Sequence, residues 1–291
     1  MAIHYPDILQ ERTIPKTFSY TDKDVMLYAL GIGLGDDPMN EAELPFVYEK
    51  TLKTVPTAAT VLASSAGRSE MAPMPPGLKV SEINLTLMLH GEQKVVLHKP
   101  LPPAGTFTTE TRTVGAFDKG KDKGAITISE TVWRDAAGEI AVTLTGSRFC
   151  RGDGGFGGPA EGAPAPHAVP KRPPDLSVDY PTRPGQALLY RLNGDFNPLH
   201  SDPDFARAAG FQVPILHGLC AYGITCRAVL EHVLDYDPSQ ILSHEVRFSA
   251  PVMPGETITV DIWRDDKDIS FETRIKSRGV TSIRNGLTRL R

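Results

Sequence analysis

PILHGLCAYGITCRAVLEHVL, residues 214–234, is apolar on nearly every face over about 20 residues, and a helix of that kind is stable only when buried. Pro214 suits a first helical turn. Gly218 and Gly223 weaken the helix but let other groups approach its backbone closely. The chain then breaks into four alternating runs, residues 243–249, 257–265, 268–276 and 281–289, each read as a strand. One buried helix followed by several strands predicts an α+β fold in which a curved antiparallel sheet wraps around a helix.

Upstream, the same pattern occurs a second time. EQKVVLHKPLPPAGTFTTETRTV begins at Glu92 and EVRFSAPVMPGETITVDIWRDD at Glu245. In each, a strand-like run meets a Pro-rich turn closing on Gly105 or Gly255, and an alternating strand follows. The two halves therefore read as copies of one β-rich unit. Between them lies RGDGGFGGPAEGAPAPHAVPKRPPD, residues 151–175, where Gly, Pro and Ala dominate and no hydrophobic period survives, as in a linker crossing the surface. The expected organisation is an N-terminal unit over 1–150, a linker over 151–175 and a C-terminal unit over 176–291. The helical candidate of the first half, PTAATVLASSA at 56–66, is short and runs into a Pro-broken stretch at 71–78. A shortened helix leaves a cavity, which assigns a substrate tail to the first half and the chemistry to the second.

Composition excludes several function classes. With 31 Lys and Arg against 35 Asp and Glu, the net charge of −4 gives no general attraction to polyanions, so nucleic acid is not an expected partner. Cys150, Cys220 and Cys226 form no paired-spacing motif and suit a reducing compartment, and no metal-ligand spacing is present. The first seven residues lack a basic stretch followed by an apolar one, and no run of about 18 apolar residues occurs, so neither export nor a membrane partner is expected. The ending LTRLR is not a peroxisomal Ser-Lys-Leu address. A cytoplasmic or matrix location is the expectation.

The residues that carry chemistry concentrate in YRLNGDFNPLHSDPDFARAAGFQVPILHGLC, 190–220, with Asp195, Asn197, His200, His217 and Gly218 around a turn and a helix start. Asp195 and His200 are five apart with Pro198 between them, so a regular helix would not place them on one face. A Pro-containing loop could turn both inward around a shared water. Hydration of a conjugated thioester needs a proton taken from water, one delivered to the α-carbon, and a donor for the charge growing on the thioester oxygen. Carboxylate and imidazole can divide the transfers. Amides in a helix's first turn lack intrahelical acceptors and lie at the positive end of its dipole, which suits Gly218 to the third task. Each residue also has a plainer reading. Asp195 could cap a turn, Asn197 could start the Asn-Pro turn, His217 could be a structural residue at a helix start and is left out of the site, and Gly218 could serve packing alone. The run DKGKDKG at 118–124 could be a solvated hairpin turn, and Phe248 a core aromatic.

The block 190–223 closely resembles the signature of the MaoC-like (3R)-enoyl-CoA hydratases of the hydratase 2 type, in particular the hydratase domain of the peroxisomal multifunctional β-oxidation enzyme. The likeness extends through LHGEQ (89–93), KPLPPAG (99–105), FDKG (117–120), GGFGG (154–158) and VRFSAPVMPG (246–255), nearly the whole chain in order. That resemblance implies a double hotdog fold, 3R stereochemistry and a homodimer. It implies an acyl-CoA partner and neither metal nor redox cofactor. Position by position it implies Asp195 and His200 as the catalytic pair, Asn197 as the amide beside them and Gly218 as the oxyanion-hole amide. His90, Gly91, Lys119 and Phe248 match acyl-CoA contacts. Two rivals share the frame: an acyl-CoA thioesterase, which would turn its activated water on the carbonyl, and a non-catalytic acyl-CoA-binding protein, which would be expected to lack Asp195 or His200.

Overall fold

The computed structural model describes residues 3–67, 69–84 and 87–291. The strands β1 (Lys16–Tyr20), β2 (Met88–Leu97), β3 (Gly105–Asp118), β4 (Ala125–Arg134), β5 (Ile140–Cys150), β6 (Leu176–Pro181), β7 (Ile241–Phe248), β8 (Thr257–Asp265), β9 (Asp268–Ile275) and β10 (Val280–Leu290) join in one sheet. Its order is β1-β3-β4-β5-β2-β7-β10-β9-β8-β6. The first five strands and the last five follow the same winding, and the two sets meet where β2 pairs antiparallel with β7, Glu92 opposite Arg247 and Val96 opposite Ser243. The repeat visible in the sequence is β2-turn-β3 and β7-turn-β8. Two such units side by side make the expected double hotdog.

The helices fill the concave side. The long one, α6 (Gly218–Val233), buries Cys220 to Cys226 and Ala228 to Leu230 against the sheet. Its polar residue Arg227 sits at an edge, donating to Glu43 Oε1 at 2.8 Å and to the Gly33 carbonyl at 2.6 Å. In the first half, α1 (Asp22–Gly31), α2 (Leu44–Val47) and α3 (Ala59–Leu62) take the equivalent space, α3 continuing into a 3-10 turn over Ala63–Ala66. Gly223 lets α6 meet the chain end of α1: a Cβ there would lie 2.5 Å from Ile32 Cγ2 and 2.6 Å from Tyr28 Oη.

The helix start differs from the sequence reading. Pro214 is outside α6, which begins four residues later with His217 as its N-cap. Tertiary bonds hold residues 215 and 216 out of the helix, for the Ile215 N–H donates to the Leu199 carbonyl at 3.3 Å and the Leu216 N–H to that of Val252 at 2.8 Å. Local propensity yields to these long-range partners.

Residues 151–175 carry no helix or strand but are pinned rather than loose. Phe156 packs with Ile3, Ile8, Ala116, Ala125 and Cys150 in a second small core. Farther on, the His167 ring bonds to Ser270 Oγ at 2.8 Å, and Asn285 Nδ2 donates to the His167 carbonyl at 2.6 Å. Two short helices, α4 (Gln186–Tyr190) and α5 (Pro203–Ala208), bracket the loop that carries Asp195 and His200. Among the described residues no helix is long and apolar enough to cross a membrane.

Candidate active site

The loop is shaped by one glycine and one asparagine. Gly194 adopts φ +110°, and a Cβ on it would lie 2.3 Å from Ser64 Cβ, so the loop can press against the turn after α3 only with glycine there. Asn197 caps the 3-10 turn Pro198–His200, its Oδ1 accepting from the Leu199 N–H at 3.0 Å. Its own N–H donates to Asp195 Oδ1 at 3.3 Å. His200 then bonds through Nδ1 to the Ile215 carbonyl at 2.9 Å. A carbonyl only accepts, so Nδ1 carries the proton and Nε2 keeps its lone pair in the neutral ring.

His217 completes the cluster. Its ring stacks on that of His200 with centroids 3.7 Å apart, and its Nε2 reaches the Asp195 carbonyl at 3.2 Å. Its Nδ1 is buried with no partner among the described residues. Side-chain donor atoms of Asp195, His200 and His217 lie within 4.8 Å of one another, yet no hydrogen bond among the described residues joins the Asp195 carboxylate to the His200 ring. One water fits such a gap. Burial draws the His200 imidazole below its ordinary value. Burial, with the His200 charge adding to it, draws His217 down to about 4. Both rings are therefore neutral near pH 7. The three donors are also close enough together to suggest a metal site.

Next to His217, Gly218 opens α6 and faces Phe248 of β7, whose ring would be 3.3 Å from a Cβ at Gly218. Phe248 in turn meets His90 of β2 edge to face at 4.9 Å between centroids. The site thus spans the β2–β7 seam between the two halves. His90 is open to solvent yet crowded by protein on most sides, as a residue in a cleft wall is. That crowding, with the charge of Arg148, holds its imidazole at about 4. Beyond His90 is a cavity of about 300 Å³ between Thr60 of α3 and the concave face of β2, β4 and β5. The shortened helix of the first half does leave space.

Comparison with known proteins decides the family. Residues 18–152 match the MFE-2 hydratase 2 N-terminal domain and residues 166–285 the MaoC like domain. An enoyl-CoA hydratase, ChsH3, of Mycobacterium tuberculosis is 44% identical over 273 residues, 94% of this chain and 93% of that one. The chain belongs to the MaoC-like hydratase 2 family. A MaoC-like dehydratase from Phytophthora capsici has the same architecture, with a TM-score of 0.86, 34% identity and 99% of each chain covered. A further M. tuberculosis protein, described as a double hotdog, shares the fold alone at 12% identity and a TM-score of 0.54, covering 96% of this chain and 95% of that one.

In this hydratase 2 chain the structure brings together Asp195, Asn197, His200, Gly218, Phe248 and His90. Two other expected residues stand apart. Gly91 occupies a bulge in β2, where a Cβ would lie 2.8 Å from Ser147 Oγ. Lys119 donates to the Ala160 carbonyl and lies 5.9 Å from the Phe117 ring; no described contact ties it to the cluster. The turn that carries Lys119 is held by Asp118, whose carboxylate accepts from the N–H groups of Gly120, Gly155 and Gly157 at 2.8, 2.8 and 2.7 Å. Those amides pull the carboxyl below the usual range. The FDKG and GGFGG motifs are thus two sides of one knot. Sequence reasoning passed over His217 as structural. Its one local signal was its place directly before the helix-opening glycine.

Proposed function

We propose that this chain is a (3R)-specific enoyl-CoA hydratase of fatty acyl-CoA metabolism, adding water reversibly to trans-2-enoyl-CoA. The observation that carries the reading is that the Asp195 carboxylate and a ring nitrogen of His200 lie within 4.8 Å of each other with no hydrogen bond between them, beside the first-turn amide of Gly218. The thioester oxygen accepts from the Gly218 N–H. A water in the gap gives its proton to His200 Nε2 while its oxygen bonds to C3, and the C2–C3 π electrons move toward the thioester oxygen. The resulting enolate takes the proton back from His200 at C2. Asp195 accepts a hydrogen bond from the water's other O–H, which stays with the product, and stabilises the transient imidazolium. Hydroxyl and proton arrive from one cluster and so on one face, which is syn addition. Asn197 orients Asp195 through its backbone N–H.

His90, Gly91, Lys119 and Phe248 are assigned to the acyl-CoA, and the chemistry needs neither a metal nor a redox cofactor. We also assign it to the cytoplasm, since the three cysteines are free and buried. A homodimer fits the exposed apolar side chains Leu188, Leu192, Phe196, Phe205 and Val213, which an association would cover; light scattering on the eluted protein checks it. The activity test is incubation with trans-2-decenoyl-CoA, following loss of the conjugated absorbance and separating products on a chiral column. (3R)-hydroxydecanoyl-CoA is expected at a rate that a chelator leaves unchanged. Free CoA would mean a thioesterase, and binding without turnover a silent acyl-CoA-binding protein.

A further inference from the structure

We propose that the cavity beside His90 receives acyl groups that end in a carboxylate or a comparably polar anion, and that Arg148 is the residue that selects them. The proposal rests on the hydratase reading for the placement of the thioester.

The cavity adjoins the catalytic cluster on two sides. Thr60 lines it, and Ser64, four residues on along the same short helical segment, abuts Gly194 of the catalytic loop. His90 lines it too and touches Phe248, which faces Gly218. A tail leaving the thioester at Gly218 has this space ahead of it. A pocket for a saturated chain is lined mainly by aliphatic and aromatic groups. Here Thr60, Gln93, Ser129 and Thr131 stand in the wall, with Met88 and Leu144 as its larger apolar members.

Along β5, Leu144, Gly146 and Arg148 follow one another at every second residue, so all three face the cavity. Arg148 lies directly across from His90 in the β2–β5 ladder. Several cations on this sheet face an acid, as Lys94 does Glu245 and Arg112 does Glu130. Among the described residues the Arg148 guanidinium forms no ion pair or hydrogen bond. An alkyl tail packed over it would strip its water and return nothing. A terminal carboxylate would return a charge-assisted, bidentate pair.

The same guanidinium could instead meet a phosphate of CoA, and the test separates the two sources. Turnover is measured for trans-2-decenoyl-CoA and for the trans-2-enoyl-CoA of equal length with a terminal carboxylate. Both tails are also presented as N-acetylcysteamine thioesters, which lack phosphates. The wild type is expected to favour the carboxylate tail in kcat/KM by about tenfold or more in both series, the worth of one charge-assisted hydrogen bond. Arg148→Leu is expected to erase that preference, and Arg148→Lys to retain part of it. Equal loss by Arg148→Leu on both CoA substrates, with none on the short thioesters, would assign Arg148 to a phosphate and overturn the proposal. So would a wild-type preference for the plain tail. Calorimetric binding of decanoyl-CoA and its terminal-carboxylate analogue reads the same preference without turnover. Selective binding without hydration would therefore sink the hydratase reading alone.

Discussion

His200 shows how two neighbours set a residue's chemistry. The Ile215 carbonyl fixes its proton on Nδ1, and burial keeps the ring neutral, so a base is ready at Nε2. Asp195→Asn or His200→Ala should lower kcat by about 10²- to 10⁴-fold, the usual weight of one acid-base group, with little change in melting temperature for Asp195→Asn, whose side chain sits half-buried in a loop, and a larger one for His200→Ala, which removes a buried, stacked ring. Near-normal turnover in either variant, measured on trans-2-decenoyl-CoA, would remove that residue from the mechanism. The pH profile follows from the same burial. Since the His200 pKa is depressed, the active neutral ring persists as pH falls past the ordinary histidine range. The acid limb of kcat/KM should therefore lie below about 6.5. An acid limb at pH 7 or above would contradict a buried neutral base. Asp195 and His200 were legible because they stand in one short block. His217 was not, because its bond is to a carbonyl 22 residues earlier in the chain.

At the level of elements, the first turn of α6 is the part that chemistry uses. His217, its N-cap, has φ −58° and ψ 133°, a conformation that a following proline tolerates. The first helical position is also where proline costs a helix least. Gly218→Pro should thus keep α6 while deleting the proposed oxyanion donor, lowering kcat by about 10²- to 10³-fold. Gly218→Ala is the control, since it places a carbon against Phe248 but keeps the N–H. Circular dichroism reports the helix, and equal rates in the two variants would show that Phe248 contact, not the amide, is what matters. The helix itself was legible from its unbroken apolar run. Its true start was not, because the partners of residues 215 and 216 are Leu199 and Val252.

Over the whole molecule, buried neutral histidines tie stability to pH. His244 lies inside the core with its ring nitrogens bonded to Thr288 and Thr225, and burial holds it at about 3. His217 is held at about 4. Below about pH 6.5 the unfolded chain takes up protons that the native rings refuse, so stability falls as pH drops from 6.5 toward 4. That window lies above the range in which the lowered carboxylates, Asp261 and Glu256 among them, add their own loss. Urea midpoints at pH 7.5, 5.5 and 4.5 should decline in that order, and His244→Gln should flatten the decline if the protein remains folded at pH 7.5. A midpoint that rose on acidification would refute the linkage.

The sequence by itself determined the buried helix, the repeated strand-turn-strand unit, the short helix of the first half and the block that supplies Asp195, His200 and Gly218. Each of these is written in local periodicity or in residues close along the chain. The tertiary structure alone decided that β2 and β7 pair, so that His90 of one half meets Phe248 of the other. It alone stacked His217 on His200 and turned Arg148 into a cavity. Those are contacts between distant segments, and a hydrophobic pattern specifies which face of a strand is buried, not which polar groups come together once the faces have closed.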